Sequence, residues 1–423
     1  MKHELVVLEV QIGEKKMKLY DELKWRGLIK DITSEDLIEK LNNGGLTFYI
    51  GTDPTADSMH IGHLSSFLIA TRLHNAGHHP ILLIGGATGL IGDPRPTTER
   101  GMITKEEVLK NVEGLKKQAE DIFGFEVVNN YDWSKNINFI DFLRDYGKYF
   151  NINYMLDKDI IRRRLDTGIT YTEFSYMIMQ ALDFLWLFEN KNCTLQVAGS
   201  DQWGNITAGV DLIRKKTGQE VYGFTMPLVT TKDGKKFGKS EGNALWLDKN
   251  RTSSYELYQY LINTDDEMVI EYLKIFTFLS KEEIEKIASE MQANSESRIA
   301  QKALAKEVIT FVHGELEYEK AVKISEALFN GDISNLSKDE ILMAFKNLPN
   351  FKVKESNVID LLVENQICSS KREAREFVNN GAITINDKKV TDEKEFIDRN
   401  KAIDDNILII RKGKKKYFFC QFE

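Results

Sequence analysis

Residues 46–86 read LTFYIGTDPTADSMHIGHLSSFLIATRLHNAGHHPILLIGG. The run 46–50 is apolar, rich in β-formers and stops at Gly51; the run 80–84, Pro-Ile-Leu-Leu-Ile, is a second and stops at Gly85-Gly86. Between them, 64–74 carries apolar residues at helical spacing. The order is strand, helix, strand. Further along, 195–198 and 223–229 read as buried strands, alternating with helical stretches at 173–189 and 201–215. That alternation predicts an α/β fold, a parallel sheet with helices on both faces. Beyond about residue 250 the strand signal fades. The segments 254–263, 266–278, 280–291 and 296–312 then read as successive amphipathic helices. Asn347-Leu-Pro-Asn-Phe351, followed by Lys-Val-Lys-Glu-Ser-Asn, has the turn chemistry of a linker. The expected division is 1–250, 251–346, a linker at 347–356 and a small mixed piece at 357–423.

A chain of 423 residues exceeds what one hydrophobic core usually serves, and 42% hydrophobic with 29% charged residues is ordinary globular composition. No apolar run has the length of a membrane span, and the N-terminal MKHELVVLEVQIGEKKMK mixes Glu with Lys and lacks arginine, unlike a targeting segment. Cys193, Cys368 and Cys420 lie far apart, without metal-site or redox spacing. A reducing, cytoplasmic setting is expected, with no membrane partner. The net charge of −8 argues against nonspecific coating of nucleic acid, but it is unevenly spread. Residues 357–423 hold 13 Lys and Arg against 12 Asp and Glu, a net of +1 that leaves −9 to the rest. Arg411, Lys412, Lys414, Lys415 and Lys416 crowd the tail.

Two motifs carry chemistry. In His60-Ile61-Gly62-His63 the histidines open the helix that follows the first strand, three positions apart on one face. A helix N-terminus favours bound phosphate, and imidazole donors placed there stabilise charge on a transferring phosphoryl group. The competing readings are a metal pair or core histidines; a metal needs more ligands, and His74, His78 and His79 fall at the far end of the same helix. The second motif, Lys236-Phe237-Gly238-Lys239-Ser240, lies in a polar, Gly-rich loop after a strand. A P-loop reading fails, because Asp233 stands where that motif needs glycine. A mobile loop with Lys232, Lys235, Lys236 and Lys239 suits closure over a polyphosphate; a solvated basic turn is the plainer alternative.

Taken together, His-Ile-Gly-His near the start and a Lys-x-x-Lys-Ser loop after the last strand resemble the class I aminoacyl-tRNA synthetases. The spelling Lys-Phe-Gly-Lys-Ser, the Tyr49-x-Gly-x-Asp53-Pro-Thr55-Ala-Asp-Ser stretch and Gly199-Ser-Asp-Gln-Trp-Gly-Asn205 are similar to the bacterial-type tyrosyl-tRNA synthetases. The resemblance covers most of 17–250 and resumes near the C-terminus. It implies a Rossmann-like parallel-sheet catalytic domain, an α-helical anticodon-binding domain and a small α+β S4-like RNA-binding domain. The implied reaction activates tyrosine with ATP, accompanied by Mg²⁺, and transfers it to tRNA-Tyr; the implied assembly is a homodimer.

By motif, Tyr49 and Asp183 are implied to hydrogen-bond the substrate's phenol. Phenylalanine would leave those buried groups unpaired, a discrimination for which this family is itself the standing illustration. Asp93, Tyr176 and Gln180 are implied at the α-ammonium, with Gln202 nearby. Tyr176, Gln180 and Asp183 recur at i, i+4 and i+7, a polar stripe among Phe174, Met177, Met179, Leu182 and Phe184. The resemblance puts Asp53, Gly199 and Asp201 along the ribose. It puts Thr55, His60, His63, Lys236 and Lys239 at the ATP phosphates as the catalytic residues, with Gly62 and Ser240 also in the ATP site. Gly85 to Asp93 would form a glycine-built wall that places Asp93. Two departures stand out. Ile50 occupies a position that is polar in some relatives, and Pro94-Arg95-Pro-Thr-Thr-Glu-Arg100 lacks a lysine that many relatives use for pyrophosphate, which leaves Arg95 or Arg100 as substitutes.

In 357–423, Ser369-Ser-Lys-Arg-Glu-Ala-Arg375 and Val378-Asn-Asn-Gly381-Ala-Ile-Thr-Ile-Asn386 resemble an S4-type domain. Lys371, Arg372 and Arg375 share a helical face suited to tRNA phosphates. Residues 1–16 read as an extension ahead of the usual start near Met17. Three rivals remain: a nucleotidylyltransferase, which shares His-x-Gly-His; a tryptophanyl sibling; and a catalytically silent RNA-binding homologue.

Overall fold

The computed structural model describes residues 17–94, 101, 103–240, 243–346, 348, 350–413 and 416–423. The chain divides into two compact units: one runs up to Asp248 and adds Asp265–Ser295, the other combines Lys249–Thr264 with Glu296–Glu423.

The first unit is built on a six-stranded sheet. Its strands are β1 (Asp31–Ile32), β2 (Thr47–Thr52), β3 (His79–Ile84), β4 (Glu126–Asn129), β5 (Cys193–Gly199) and β6 (Tyr222–Met226), in the spatial order β1-β6-β5-β2-β3-β4. All neighbours run parallel except β1, which closes the edge antiparallel to β6. β2, β3 and β6 bury consecutive residues, the signature of strands covered on both faces. The helix Ile61–Asn75 connects β2 to β3, and the helices Tyr171–Lys191 and Trp203–Thr217 flank β5. The expected segments are therefore present, with ends shifted by at most three residues; β1 and β4 had no counterpart among the expected strands.

Strand order reverses between β2 and β5. From β2 the chain winds outward through β3 and β4, then returns to lay down β5 and β6 on the other side. A crevice opens at the carboxyl ends of strands where the order reverses, and ligands of open α/β sheets bind there. Thr52, Asp53, Gly85, Asn130 and Gly199 lie at or just beyond those ends, and Tyr49 lies midway along β2.

The boundary expected at 250 is crossed in both directions. The helices Asp266–Phe276 and Lys281–Ala293 pack with the sheet-bearing unit, and the first of them is held by Arg26 and Arg72. In the second unit, Ser254–Ile262, Ile299–His313 and Glu315–Asn330 pack as a helical group. A mixed sheet follows, in the order Lys388–Val390, Ile383–Ile385, Ile407–Lys412, Lys416–Phe422, Asn350–Val353. The stretch 347–356, expected as a linker, thus contributes a strand: Asn350–Val353 runs parallel to Lys416–Phe422 and buries Val353. One face of the sheet covers a core with Val358, Leu362, Ala374 and Val378; the other, through Ile407, Ile409 and Phe419, packs on Ile324, Ile341 and Phe345. No helix among the described residues is long and apolar enough to cross a membrane.

Candidate active site

The first turn of Ile61–Asn75 is organised by its own histidines. His60 is the N-cap: its Nδ1 accepts from the Gly62 N–H at 3.1 Å, and the His60 N–H donates to His63 Nδ1 at 3.3 Å. The rings stack 3.8 Å apart, 16° from parallel. Burial, with His60 beside it, pulls His63 down to about 3, so its imidazole is neutral at physiological pH. With Nδ1 accepting from the His60 N–H, the neutral His63 ring carries its proton on Nε2, a donor at the helix N-terminus. His74 and His78, at the far end of the helix, bond to backbone groups: His78 accepts from Leu46 N–H and bonds Leu41 O, while His74 bonds the carbonyl of His78. Among the described residues no group of three or more His, Cys, Asp or Glu is placed to hold a metal ion.

The lysine loop comes directly against this turn. Gly238, at φ +87°, lies so close to the helix that a Cβ would stand 2.3 Å from Ile61 Cγ2 and 3.3 Å from Gly62 N. The chain after the loop continues the contact: Ile61 N–H donates to Leu245 O, Leu247 N–H to Met59 O, and His60 bridges Trp246. Lys232, Lys235 and Lys236 are exposed, whereas Phe237 is only 4% exposed. Lys239–Ser240 pairs with Asn243–Ala244 in a two-stranded ribbon. The side chains of Lys239 and Ser240 lie outside what is described, as do Arg95, Arg100, Lys414, Lys415 and residues 1–16. Thr55 is exposed in the turn after β2, its N–H bonded to Asp53 O.

Further down the strands lies a cluster of buried polar groups. Tyr49 on β2 is 2% exposed, its ring against Phe184, and its hydroxyl has no hydrogen-bond partner. Burial raises its pKa well above the usual value, and the charge of nearby Asp183 raises it further. Asp183 faces in from Tyr171–Lys191, accepting from Asn130 Nδ2 at 2.8 Å and Trp133 Nε1 at 2.9 Å. Those bonds favour the carboxylate, yet burial outweighs them and pushes Asp183 up to about 7.

On the same helix Tyr176 donates to Asp53 Oδ2 at 3.0 Å, and Thr88 donates to Asp53 Oδ1 at 2.9 Å. Gly85 is required there, since a Cβ would fall 2.3 Å from that Asp53 oxygen. Gln180 accepts from Asn205, whose amide also reaches Gln202 Oε1 at 2.8 Å and, at 3.4 Å, Asp93. Gln202 donates to Asp93 at 2.9 Å. Burial pushes Asp93 up to about 6 despite these donors. The helical stripe read from sequence therefore joins one polar cluster, with Tyr176 bonded to Asp53 and Gln180 joined to Asp93 through Asn205. Gly199 ends β5, and a Cβ on it would meet the carboxylate of Asp201, which is exposed.

Comparison with known proteins agrees with this geometry. The family model for class I tRNA synthetases (W and Y) matches residues 41–330. A tyrosine–tRNA ligase of Listeria monocytogenes is 50% identical over 419 residues, covering 96% of this chain and all of the relative. The chain belongs to the tyrosine–tRNA ligases. A member from Staphylococcus carnosus is 52% identical over 417 residues, covering 96% of this chain and 99% of its own. The model for the tyrosine–tRNA ligase SYY-like C-terminal domain matches 340–420. A truncated Aspergillus nidulans mitochondrial tyrosyl-tRNA synthetase superimposes with a TM-score of 0.65 at 32% identity, over 75% of this chain and 95% of its own.

Against this family background, the residues the sequence reading missed are Asn130, Trp133, Thr88, Asn205 and Gln196. Gln196 sits opposite Tyr49 across the β2–β5 pair and is 2% exposed, with its Oε1 unpartnered. Asn205 lies in the Gly199–Asn205 motif, Thr88 in the Gly85–Asp93 stretch and Gln196 in the 195–198 strand, each without a role of its own; Asn130 and Trp133 gave no signal, because they are distant in sequence from Asp183. In the C-terminal domain Lys371, Arg372 and Arg375 are all exposed on Lys371–Asn379. Lys371 pairs with Asp360 at 2.7 Å and Arg375 with Glu393 at 3.5 Å, exposed pairs that cost little to exchange for phosphates.

Proposed function

We propose that the crevice beyond β2 and β5 is where this tyrosine–tRNA ligase activates its amino acid, and that the Tyr49–Asp183 pocket selects tyrosine. The enzyme joins tyrosine to tRNA. In the reading we favour, the tyrosine carboxylate attacks the ATP α-phosphorus and pyrophosphate leaves. The terminal ribose hydroxyl of tRNA-Tyr then takes the tyrosyl group and AMP departs. No protein nucleophile enters either step; catalysis is positioning plus stabilisation of developing charge.

The observation that carries the reading is the buried Tyr49 hydroxyl without a partner beside a buried, hydrogen-bonded Asp183. A buried polar group left unpaired costs about 1–3 kcal/mol, and a substrate phenol lying between the two would relieve it. Asp93, Gln180 and Tyr176, with Gln202, are assigned to the α-ammonium, whose charge would draw Asp93 back to its ionised form. ATP is assigned to the turn and loop, arriving as its Mg²⁺ complex. Asp53, Gly199 and Asp201 lie along the ribose; His60, His63, Lys236 and Lys239 act on the phosphates, with Thr55, Gly62 and Ser240 beside them. The bond from Tyr176 to Asp53 ties the two subsites.

For the second step, Lys371, Arg372 and Arg375 are assigned to tRNA phosphates, in an S4-like piece within 357–423, and the helices of 251–346 to the anticodon arm. A homodimer accounts for apolar side chains left exposed between β4 and β5: Phe139 at 64%, Ile140 at 63% and Ile152 at 63%. The enzyme is assigned to the cytoplasm. The reading is tested by tyrosine-dependent exchange of labelled pyrophosphate into ATP, with phenylalanine and tryptophan as controls. Exchange with tyrosine alone is expected; none with tyrosine would overturn it.

A further inference from the structure

The loop that carries Lys236 is exposed along its tip yet fastened at one point. Phe237 is buried with its ring 4.5 Å from Tyr272 and 4.8 Å from Phe276, both on the helix Asp266–Phe276. The Tyr272 hydroxyl donates to Thr230 O at 2.8 Å, at the start of the loop, and Thr230 bridges Lys236 across it. The loop is further closed by Thr231 N–H to Lys235 O and Phe237 N–H to Val229 O. Lys232 reaches Glu267 on the same helix at 2.7 Å. One residue after Phe237, Gly238 presses on Ile61 and Gly62. Phe237 and Gly238 are thus wedged between that helix and the histidine turn.

The helix is itself tied back to the histidine-bearing one. Arg26 donates to Lys274 O at 3.0 Å and Leu279 O at 2.6 Å, and Arg72 donates to Thr277 O. Both meet the carbonyl end of the Asp266–Phe276 helix, where cations are favoured. Arg72 belongs to Ile61–Asn75, the helix that begins with His60, and Glu22 lies 2.8 Å from Arg26 and 3.8 Å from Arg72. Histidine turn, arginine clamp, aromatic seat and lysine loop form a closed mechanical circuit.

We propose that Tyr272 is a positioning residue for the activation step: with Phe276 it seats Phe237 and so fixes the lysine loop relative to the His60–His63 turn. The inference rests on the reading that Lys236 acts on the ATP phosphates. A displacement of the loop by about an ångström is enough to cost tenfold or more in rate. Tyrosine binding lies deeper in the crevice and is not served by this seat.

The test uses the full chain. Tyr272→Leu removes ring and hydroxyl, Tyr272→Phe only the bond to Thr230. Tyr272→Leu is expected to lower kcat for pyrophosphate exchange about tenfold with tyrosine Kd unchanged, and Tyr272→Phe to recover most of the loss. On a Lys236→Ala background Tyr272→Leu is expected to cost less than about twofold, because its effect passes through the loop. An unchanged kcat in Tyr272→Leu, or a full multiplicative loss on the Lys236→Ala background, overturns the proposal. So does weakened tyrosine binding in step with kcat, which marks general damage. If Tyr272→Leu does not fold, Phe276→Leu carries the same expectations and the same refutations. A silent Lys236→Ala overturns the underlying reading as well, whereas a loss in Lys236→Ala without one in Tyr272→Leu overturns this inference alone.

Discussion

Asp183, proposed to meet the substrate phenol, is a residue whose burial costs the fold stability. It is buried, receives two donors and still sits at about 7 against an ordinary 3.8. The folded chain therefore holds a proton there that the unfolded chain has released. Stability from that proton is full below about pH 4 and is lost as pH climbs through about 7. Asp183→Asn has nothing to release. Its Tm relative to the parent is therefore expected to rise by roughly 5 °C between about pH 5 and pH 8. Thermal melts at the two pH values check this; a difference independent of pH would mean that Asp183 is ionised throughout. Tyr49 and Asp183 were legible in the sequence because a known motif surrounds each. Asn130 and Trp133 were not: they follow β4, more than 45 residues before Asp183, and only the fold closes that gap.

At the scale of elements, the glycine turn after β3 and the helix Tyr171–Lys191 together frame the pocket. Gly85 is the tightest point, because an added Cβ would lie 2.2 Å from Thr88 Oγ1 and 2.3 Å from Asp53 Oδ1. Asp53 in turn holds Tyr176, so the strain would pass to the helix. Gly85→Ala is expected to lower kcat/KM for exchange by at least about tenfold, with a chain that remains folded, as steady-state kinetics and melting would report. Activity at the parental level would mean that this turn yields. β2 and β3 were readable because strands buried on both faces are unbroken apolar runs. β1 has two residues and β4 four, too few to show a period. Asn350–Val353 was hidden differently, since its flanking Asn and Pro read as a turn and its partner Lys416–Phe422 comes more than sixty residues later.

Across the molecule, the chain doubles back after Asp248: it contributes one helix to the second unit, returns two helices to the first, then leaves for good at Glu296. A linear reading could not foresee this, because amphipathic helices look alike whichever unit they cover. The returning pair gives the catalytic unit the seat for Phe237 and the clamp under Arg26 and Arg72. What identified the chemistry, the histidine turn and the lysine loop, is brought into contact by Gly238. In the function proposed above, what selects the amino acid is the unpartnered Tyr49 phenol beside Asp183. The most direct measurement is the ratio of kcat/KM for tyrosine over phenylalanine in pyrophosphate exchange, in the parent and in Asp183→Ala. The account predicts a strong preference for tyrosine that shrinks by about 10- to 100-fold in the variant, chiefly through loss of tyrosine turnover. A preference unchanged by the substitution would contradict it.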